Sequence, residues 1–430
     1  VALGELTAMN ATEGSAQLRR ELGLSDAVLT GLGAMLGAGI FVTLAPTAGA
    51  AGAGLLIALA IAAVVAYCNA DSSARLAARY PSAGGTYVYG RERLGMFWGY
   101  LAGWGFLIGK TASCAAMALT AGSYLWPDHA HAVAVVATLA LTAVNYLGIQ
   151  KSAWVIRVLV AVVLLVLLSV VIAAATSSDV AAARLDPTAD LSATGLLEAA
   201  GLWFFAFAGY ARIATLGEEV RDPVRTISRA ITIALATVVV IYASVAVAAL
   251  AVMGSGRLSN SSAPLVDVVR AAGMPALVPV VTVGATVAAL GALLTLILGV
   301  SRTTLAMARD GHFPRGLAAI HPRYGVPHRA EVVVGVIVAV VAATFDVRDA
   351  IGFSAFAVLV YYAVANVSAL TLSLPAAWWR RPVPVVGLMG CLLLAFSLPT
   401  SSVIVGLGVF AAGLVVYGLR VLRRRSTADH

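Results

Sequence analysis

Lys110 stands at the middle of an apolar run from Phe97 to Tyr124. As a helix, that run would hold the ammonium about 20 Å from either end, too far for the side chain to reach water. No acid lies near it in sequence to balance the charge. A cation in hydrocarbon is costly unless it is paired or faces a cavity, so functional use is the default reading of such a residue. Its chemistry would be proton exchange, which could couple a cycle to protons or replace a sodium ion. The competing reading is a structural amine bonded to main-chain carbonyls.

Glycines make the second constellation. The first apolar run holds Gly31, Gly33, Gly37 and Gly39, and its segment Gly37-Ala38-Gly39-Ile40-Phe41 is suited to leaving the helix. The sixth run repeats the feature with Phe205-Ala206-Phe207-Ala208-Gly209. Glycine lets the chain depart from helical geometry without a Cβ clash. Inside a bilayer an open main-chain N–H or C=O is tolerated only where it lines a cavity or binds something. Freed N–H groups and the positive end of the following half-helix would hold a carboxylate. Exposed carbonyls across the break would hold an ammonium. An amino acid carries both groups on one carbon and fits both. Close helix packing alone would account for the four-residue spacing of Gly33 and Gly37, but not for a matched break in the second half of the chain.

Arg212 follows the second break and keeps its charge at any accessible pH. It could meet a substrate carboxylate, or form an inner gate with Glu218 or Glu219. The local pairing is preferred. Every acidic residue falls at a span end or in a loop, so a cationic side chain entering the middle of the membrane would find no carboxylate. The expected cargo is accordingly neutral or acidic, with neutral favoured. Tyr361, Tyr362 and Asn366 could add polar contacts. His129 and His131 read as solvated loop residues, because a metal site would need ligands beyond Asp128. Cys68, Cys114 and Cys391 sit singly in apolar runs and read as small buried residues. No metal and no cofactor is expected.

These residues must be positioned by membrane helices. Apolar residues are 61% of the chain and charged ones 11%, too few charges to cover a soluble surface. A span takes roughly 20 apolar residues. Runs and breakers predict about twelve, near 26–48, 53–78, 97–124, 130–148, 153–175, 199–217, 228–253, 276–307, 330–345, 351–376, 384–398 and 400–420. The expected organisation is a polar cytosolic tail over 1–24, not a signal peptide, one all-α membrane domain over 25–421, and a basic cytosolic tail over 422–430. Twelve spans place Arg184, Arg257, Arg270 and Arg348 on one side and nearly all other basic residues on the side of the N-terminus. That bias predicts both termini in the cytosol. Membrane orientation and anionic lipid then account for the net charge of +8 without a nucleic-acid partner.

Four motifs carry a resemblance to a known family. They are Gly37-Ala-Gly-Ile-Phe41; Tyr80-Pro-Ser-Ala-Gly84-Gly-Thr-Tyr87-Val-Tyr; Gly217-Glu218-Glu219-Val-Arg221-Asp-Pro223, followed by Ile227 and Arg229-Ala-Ile231; and Ala306-Met-Ala-Arg309-Asp310-Gly311, followed by Pro314 and His321-Pro-Arg-Tyr-Gly325-Val-Pro327. Together they resemble the amino acid–polyamine–organocation superfamily, near the bacterial relatives of its cationic amino acid transporter subgroup. The resemblance implies a five-plus-five inverted repeat, about 26–175 and 199–376, with discontinuous helices one and six and two added spans over about 384–420. It implies alternating access, with substrate held between helices one, three, six, eight and ten and covered by an aromatic residue that matches Phe205. Many relatives have an acid two residues after the helix-six glycine; here that place is Ala211, followed by Arg212.

The leading expectation is a secondary transporter of amino acids in the cell membrane, as a proton symporter or an exchanger. The alternatives are the same fold carrying a polyamine, organic amine or other small metabolite, and a sensor that binds without transporting. No nucleotide-binding loop, metal cluster or nucleophile constellation supports an enzyme or an ATP-driven pump.

Overall fold

A computed structural model describes residues 22–80, 84–148, 153–187, 192–214, 220–372 and 380–428. Among the described residues the regular elements are helices. The first span is two short pieces, α1 (Leu24–Met35) and α2 (Gly39–Ala51). There follow α3 (Leu55–Arg79), α4 (Thr86–Leu94), α5 (Met96–Leu125), α6 (Ala130–Tyr146) and α7 (Ala153–Ala175). The second half opens with α8 (Ala193–Phe207), a 3-10 turn and α9 (Ala211–Ala214), then α10 (Pro223–Ser259), α11 (Pro264–Ala271), α12 (Val278–Arg309) and α13 (His328–Thr344). The chain ends with α14 (Val347–Leu370), α15 (Val383–Ser397) and α16 (Thr400–Ala428).

Eight helical stretches among the described residues are long and apolar enough to cross a membrane. The apolar helices α1 and α15 are shorter. Large aliphatic side chains such as Val136, Leu165, Val240, Val340, Met389 and Ile404 are exposed along the flanks of their helices. That distribution suits a protein whose solvent is lipid. Two short helices stand where the sequence reading placed only connections. α4 carries Arg91 and Arg93 in its last turn, and α11 begins on Pro264.

The interior is built around α5, which packs against α12 and α14. Here close approach is made by residues without bulk. A Cβ on Gly109 would lie 2.9 Å from a Val358 methyl, and one on Gly105 would lie 3.2 Å from the Ala357 carbonyl. The last helix is fastened to the same element, since Tyr100 donates to the Gly413 carbonyl at 2.8 Å and Trp104 to Val409 at 3.1 Å. Antiparallel α6 and α13 meet through Gly335 against Thr142, with His131 bonded to the Ala342 carbonyl at 2.8 Å. Leu22 and Val220 form an isolated parallel bridge, so the chain just before helix one runs beside the chain after helix six.

Candidate functional site

The first helix breaks as its glycines imply. α1 closes with the Leu36 N–H on the Leu32 carbonyl at 2.7 Å, the chain bends, and bonding resumes with the Phe41 N–H on Ala38 at 3.0 Å. A Cβ on Gly37 would stand 2.8 Å from the Ala292 Cβ of α12, and one on Gly39 would stand 2.8 Å from the Ala206 Cα of α8. The glycines therefore serve a second purpose: they let the N-terminus of α2 touch the C-terminal end of α8.

Helix six differs from the expectation of an open break. Its Ala208 N–H still bonds to the Phe204 and Phe205 carbonyls, and the chain tightens into a 3-10 turn over Ala208–Tyr210 before α9. Gly209 is used for approach, because a Cβ there would lie 2.3 Å from the Ala34 carbonyl at the end of α1. The two interrupted helices thus cross reciprocally, each packed on the other's interruption.

Side chains from two other helices serve the main-chain groups this leaves. Lys110 of α5 is 7% exposed, and its Nζ donates to the Ala208 carbonyl at 3.4 Å. An ammonium there lies at the C-terminal end of α8, where the helix dipole favours positive charge. Tyr242 of α10 is fully buried, and its hydroxyl donates to Met35 O at 2.6 Å while lying 3.2 Å from Ala206 O. One proton therefore serves the ends of both half-helices. The Tyr242 ring lies over Trp203 with centroids 5.9 Å apart and is tilted on Phe207 at 5.4 Å. Tyr124, near the end of α5, donates to the Phe41 carbonyl at 2.8 Å and accepts from the Leu265 N–H of α11 at 3.2 Å. Its ring is edge-on to Phe41.

The residues singled out in the sequence fall into four groups. Gly37 to Phe41, Phe205 to Gly209 and Lys110 converge at one level, with Ile40, Phe41 and Phe205 buried. Arg212 is exposed on α9. Glu218 and Glu219 lie outside the described residues. On α14, the Tyr361 hydroxyl accepts from the Thr86 N–H at 3.1 Å, and Tyr362 is tilted against Tyr210 at 5.1 Å. Asn366 joins a buried cluster with Asn69, Ser72 and Cys391. Tyr242 and Tyr124 went unremarked in sequence, although a hydroxyl inside an apolar run was the available signal.

At the face rich in arginine, Asp310 at the end of α12 accepts from Arg91 at 3.0 Å and from the Tyr87 hydroxyl, joining α4 to α12. Burial, and then the hydrogen bond to Asp310, raise the Tyr87 hydroxyl well above its ordinary value. It therefore remains a donor throughout the neutral range.

A bundle of apolar helices with two interrupted members meeting at a buried amine defines a membrane carrier. A model of the amino acid permease family matches residues 26–418. An uncharacterized transporter of Mycobacterium tuberculosis is 66% identical over 411 residues, covering 95% of this chain and 93% of that protein. A branched-chain amino acid permease of Bacillus subtilis is 26% identical over 95% of this chain and 94% of its own length. Cationic amino acid transporter 7 of Arabidopsis thaliana is 27% identical over 84% of this chain and 67% of its own length. The chain belongs to the amino acid permease family, a family of transporters within the amino acid–polyamine–organocation superfamily. It is a multi-pass membrane protein and not an enzyme.

Proposed function

We propose that this chain moves a neutral amino acid across the cell membrane by alternating access, as a proton symporter or an exchanger. Twelve spans in a five-plus-five inverted repeat, with both termini in the cytosol, complete the reading. The substrate carboxylate takes the main-chain N–H groups of Gly37 to Phe41, and its ammonium takes carbonyls around Phe205 to Gly209. Phe205 closes over the bound molecule, and Arg212 with Glu218 and Glu219 closes the cytosolic side. Lys110 is the coupling group. It donates to Ala208, and losing the proton removes the charge that strengthens this bond, so that the substrate ammonium can displace the amine from that carbonyl.

The observation that carries the reading is the contact of two helix interruptions, Gly39 on Ala206, with a buried amine bonded at the second. In a bilayer such an arrangement is costly unless it binds something. The branched-chain permease among the relatives supports a neutral cargo. The cationic transporter supports the alternative of an amine or cationic cargo. A pocket carboxylate would favour that alternative, and among the described residues none touches the interruptions.

Purified protein is tested by thermal shift against L-leucine, L-lysine, L-glutamate and spermidine, and then by uptake into proteoliposomes at several pH values. L-leucine is expected to stabilise the wild type and to be accumulated under an inward proton gradient or by exchange. Lys110→Ala is expected to lose the pH dependence of uptake. Unchanged pH dependence in that variant would remove the role given to Lys110. Ligand that binds but is never transported would point to a sensor.

A further inference from the structure

At the face opposite the arginine-rich one, a cavity of about 470 Å³ opens between the outer ends of α2, α8, α14 and α16. It is lined by Glu198, by Arg348 and Asp349 of the first turn of α14, by Ser402, and by the apolar Pro46 and Leu202. Leu202 and Glu198 precede Phe205 by three and seven residues on one face of α8. Pro46 follows Gly39 by seven residues on α2. The cavity floor is therefore two turns, about 10 Å, from the interruptions.

Its charges differ in burial: Arg348 and Asp349 are exposed at the start of α14, whereas Glu198 is half-buried in α8. Neither the Glu198 nor the Asp349 carboxylate has a hydrogen-bond or ion-pair partner among the described residues, although Glu198 is half-buried in a membrane helix. Arg348 is held by one bond, to the Ser259 carbonyl at the end of α10, which leaves the rest of its fork of donors uncommitted. A partly buried carboxylate without a partner is expensive, and a bound cation is what would offset it. The lining offers two carboxylates, one guanidinium and an apolar wall.

We propose that this cavity is a second recognition site, which receives a zwitterionic amino acid from outside before it reaches the interruptions. The ligand's ammonium sits between Glu198 and Asp349, its carboxylate meets Arg348, and its side chain lies on Pro46 and Leu202. The proposal rests on the carrier reading and narrows it. With two carboxylates against one guanidinium, the site repels a second negative charge, so neutral amino acids are admitted and acidic ones are turned away. The expectation of a neutral or acidic cargo is thereby reduced to neutral.

The test uses the full chain in proteoliposomes sorted by orientation, with radiolabelled L-leucine as probe and unlabelled L-aspartate as competitor. Glu198→Gln, Asp349→Asn and Arg348→Gln are each expected to raise KM about five- to tenfold for leucine offered on the Arg348 face, the loss of one charged hydrogen bond. KM on the arginine-rich face stays where it was. Glu198→Asp keeps the charge and recovers most of the affinity, which separates loss of the site from loss of the fold. The Glu198→Gln, Asp349→Asn double variant is expected to become sensitive to external L-aspartate. Unchanged KM on both faces, or an equal rise on both, would overturn the outer site while leaving the carrier reading intact. No leucine movement by the wild type would overturn the carrier reading itself, and the site with it.

Discussion

At the scale of single residues, the two groups most worth testing are a hydroxyl and an amine, each bonded to a half-helix end. Tyr242 serves Met35 and Ala206 at once, so Tyr242→Phe keeps the ring on Trp203 and Phe207 while leaving both carbonyls without their donor. An unsatisfied buried polar group costs about 1–3 kcal/mol. The variant should therefore lower the melting temperature in detergent by several degrees. Bound substrate should restore part of that loss if it supplies a replacement donor. Equal melting of variant and wild type would show that the hydroxyl is not needed to hold the crossing together. Lys110 makes a contrasting case, because its bond to Ala208 is long at 3.4 Å. Lys110→Met keeps the length and apolar body of the side chain. It is expected to melt within a few degrees of the wild type yet fail to concentrate substrate against a gradient, read as loss of uphill uptake with exchange retained. A variant that still concentrates substrate would place the coupling proton elsewhere.

At the scale of elements, the glycines of helix one were legible in sequence as a break, and the break lies within two residues of where they implied it. What was not legible is that the same glycines are contact points. Whether Gly39 opens the chain or admits Ala206 depends on which helix lies opposite, and periodicity within one run does not say. Helix six is interrupted, as its sequence implies, but by a wound 3-10 turn and not an open break. A single glycine, Gly209, does not force the chain open, and the carbonyls of Phe204 and Phe205 remain close enough to keep the turn wound. Arg212, placed in sequence near the pocket or a gate, is exposed because it lies beyond that wound turn, on the short α9. These contacts yield a paired prediction. Gly39→Val puts a branched side chain where only 2.8 Å separates a Cβ from the Ala206 Cα, forcing α2 from α8. Overpacking of this kind costs about 1–3 kcal/mol, and uptake should fall roughly tenfold or more. Gly408→Ala on α16 meets nothing within 4 Å and should transport like the wild type. A transport-competent Gly39→Val would mean that the crossing is not the site.

At the scale of the whole molecule, the face rich in arginine is also the face that is fastened. Leu22 bridges Val220 there, and Asp310 collects Tyr87 and Arg91, so α1, the end of helix six, α4 and α12 are tied at one end of the bundle. The opposite end holds the cavity of Glu198 and Arg348 and the lid-like α11, held through Tyr124. The charge bias that predicts a cytosolic fastened end is a sequence property, and the prediction holds only if the number of spans between its arginines is even. Direction of insertion leaves no mark on helix packing, so it is measured with labels. Cys68, Cys114 and Cys391 are all buried, which leaves the surface free for introduced thiols. Asn260→Cys, just after α10, should react with an impermeant maleimide in intact cells, because Arg257 and Arg348 belong to the sparsely charged face. Arg323→Cys, between α12 and α13, should react only after the membrane is opened. The tied end would then face the cytosol and the Glu198 cavity the outside, which is the direction from which the outer site must be filled. The reverse pattern would turn that cavity into an exit and assign first contact with external substrate to the end where Asp310 holds α4.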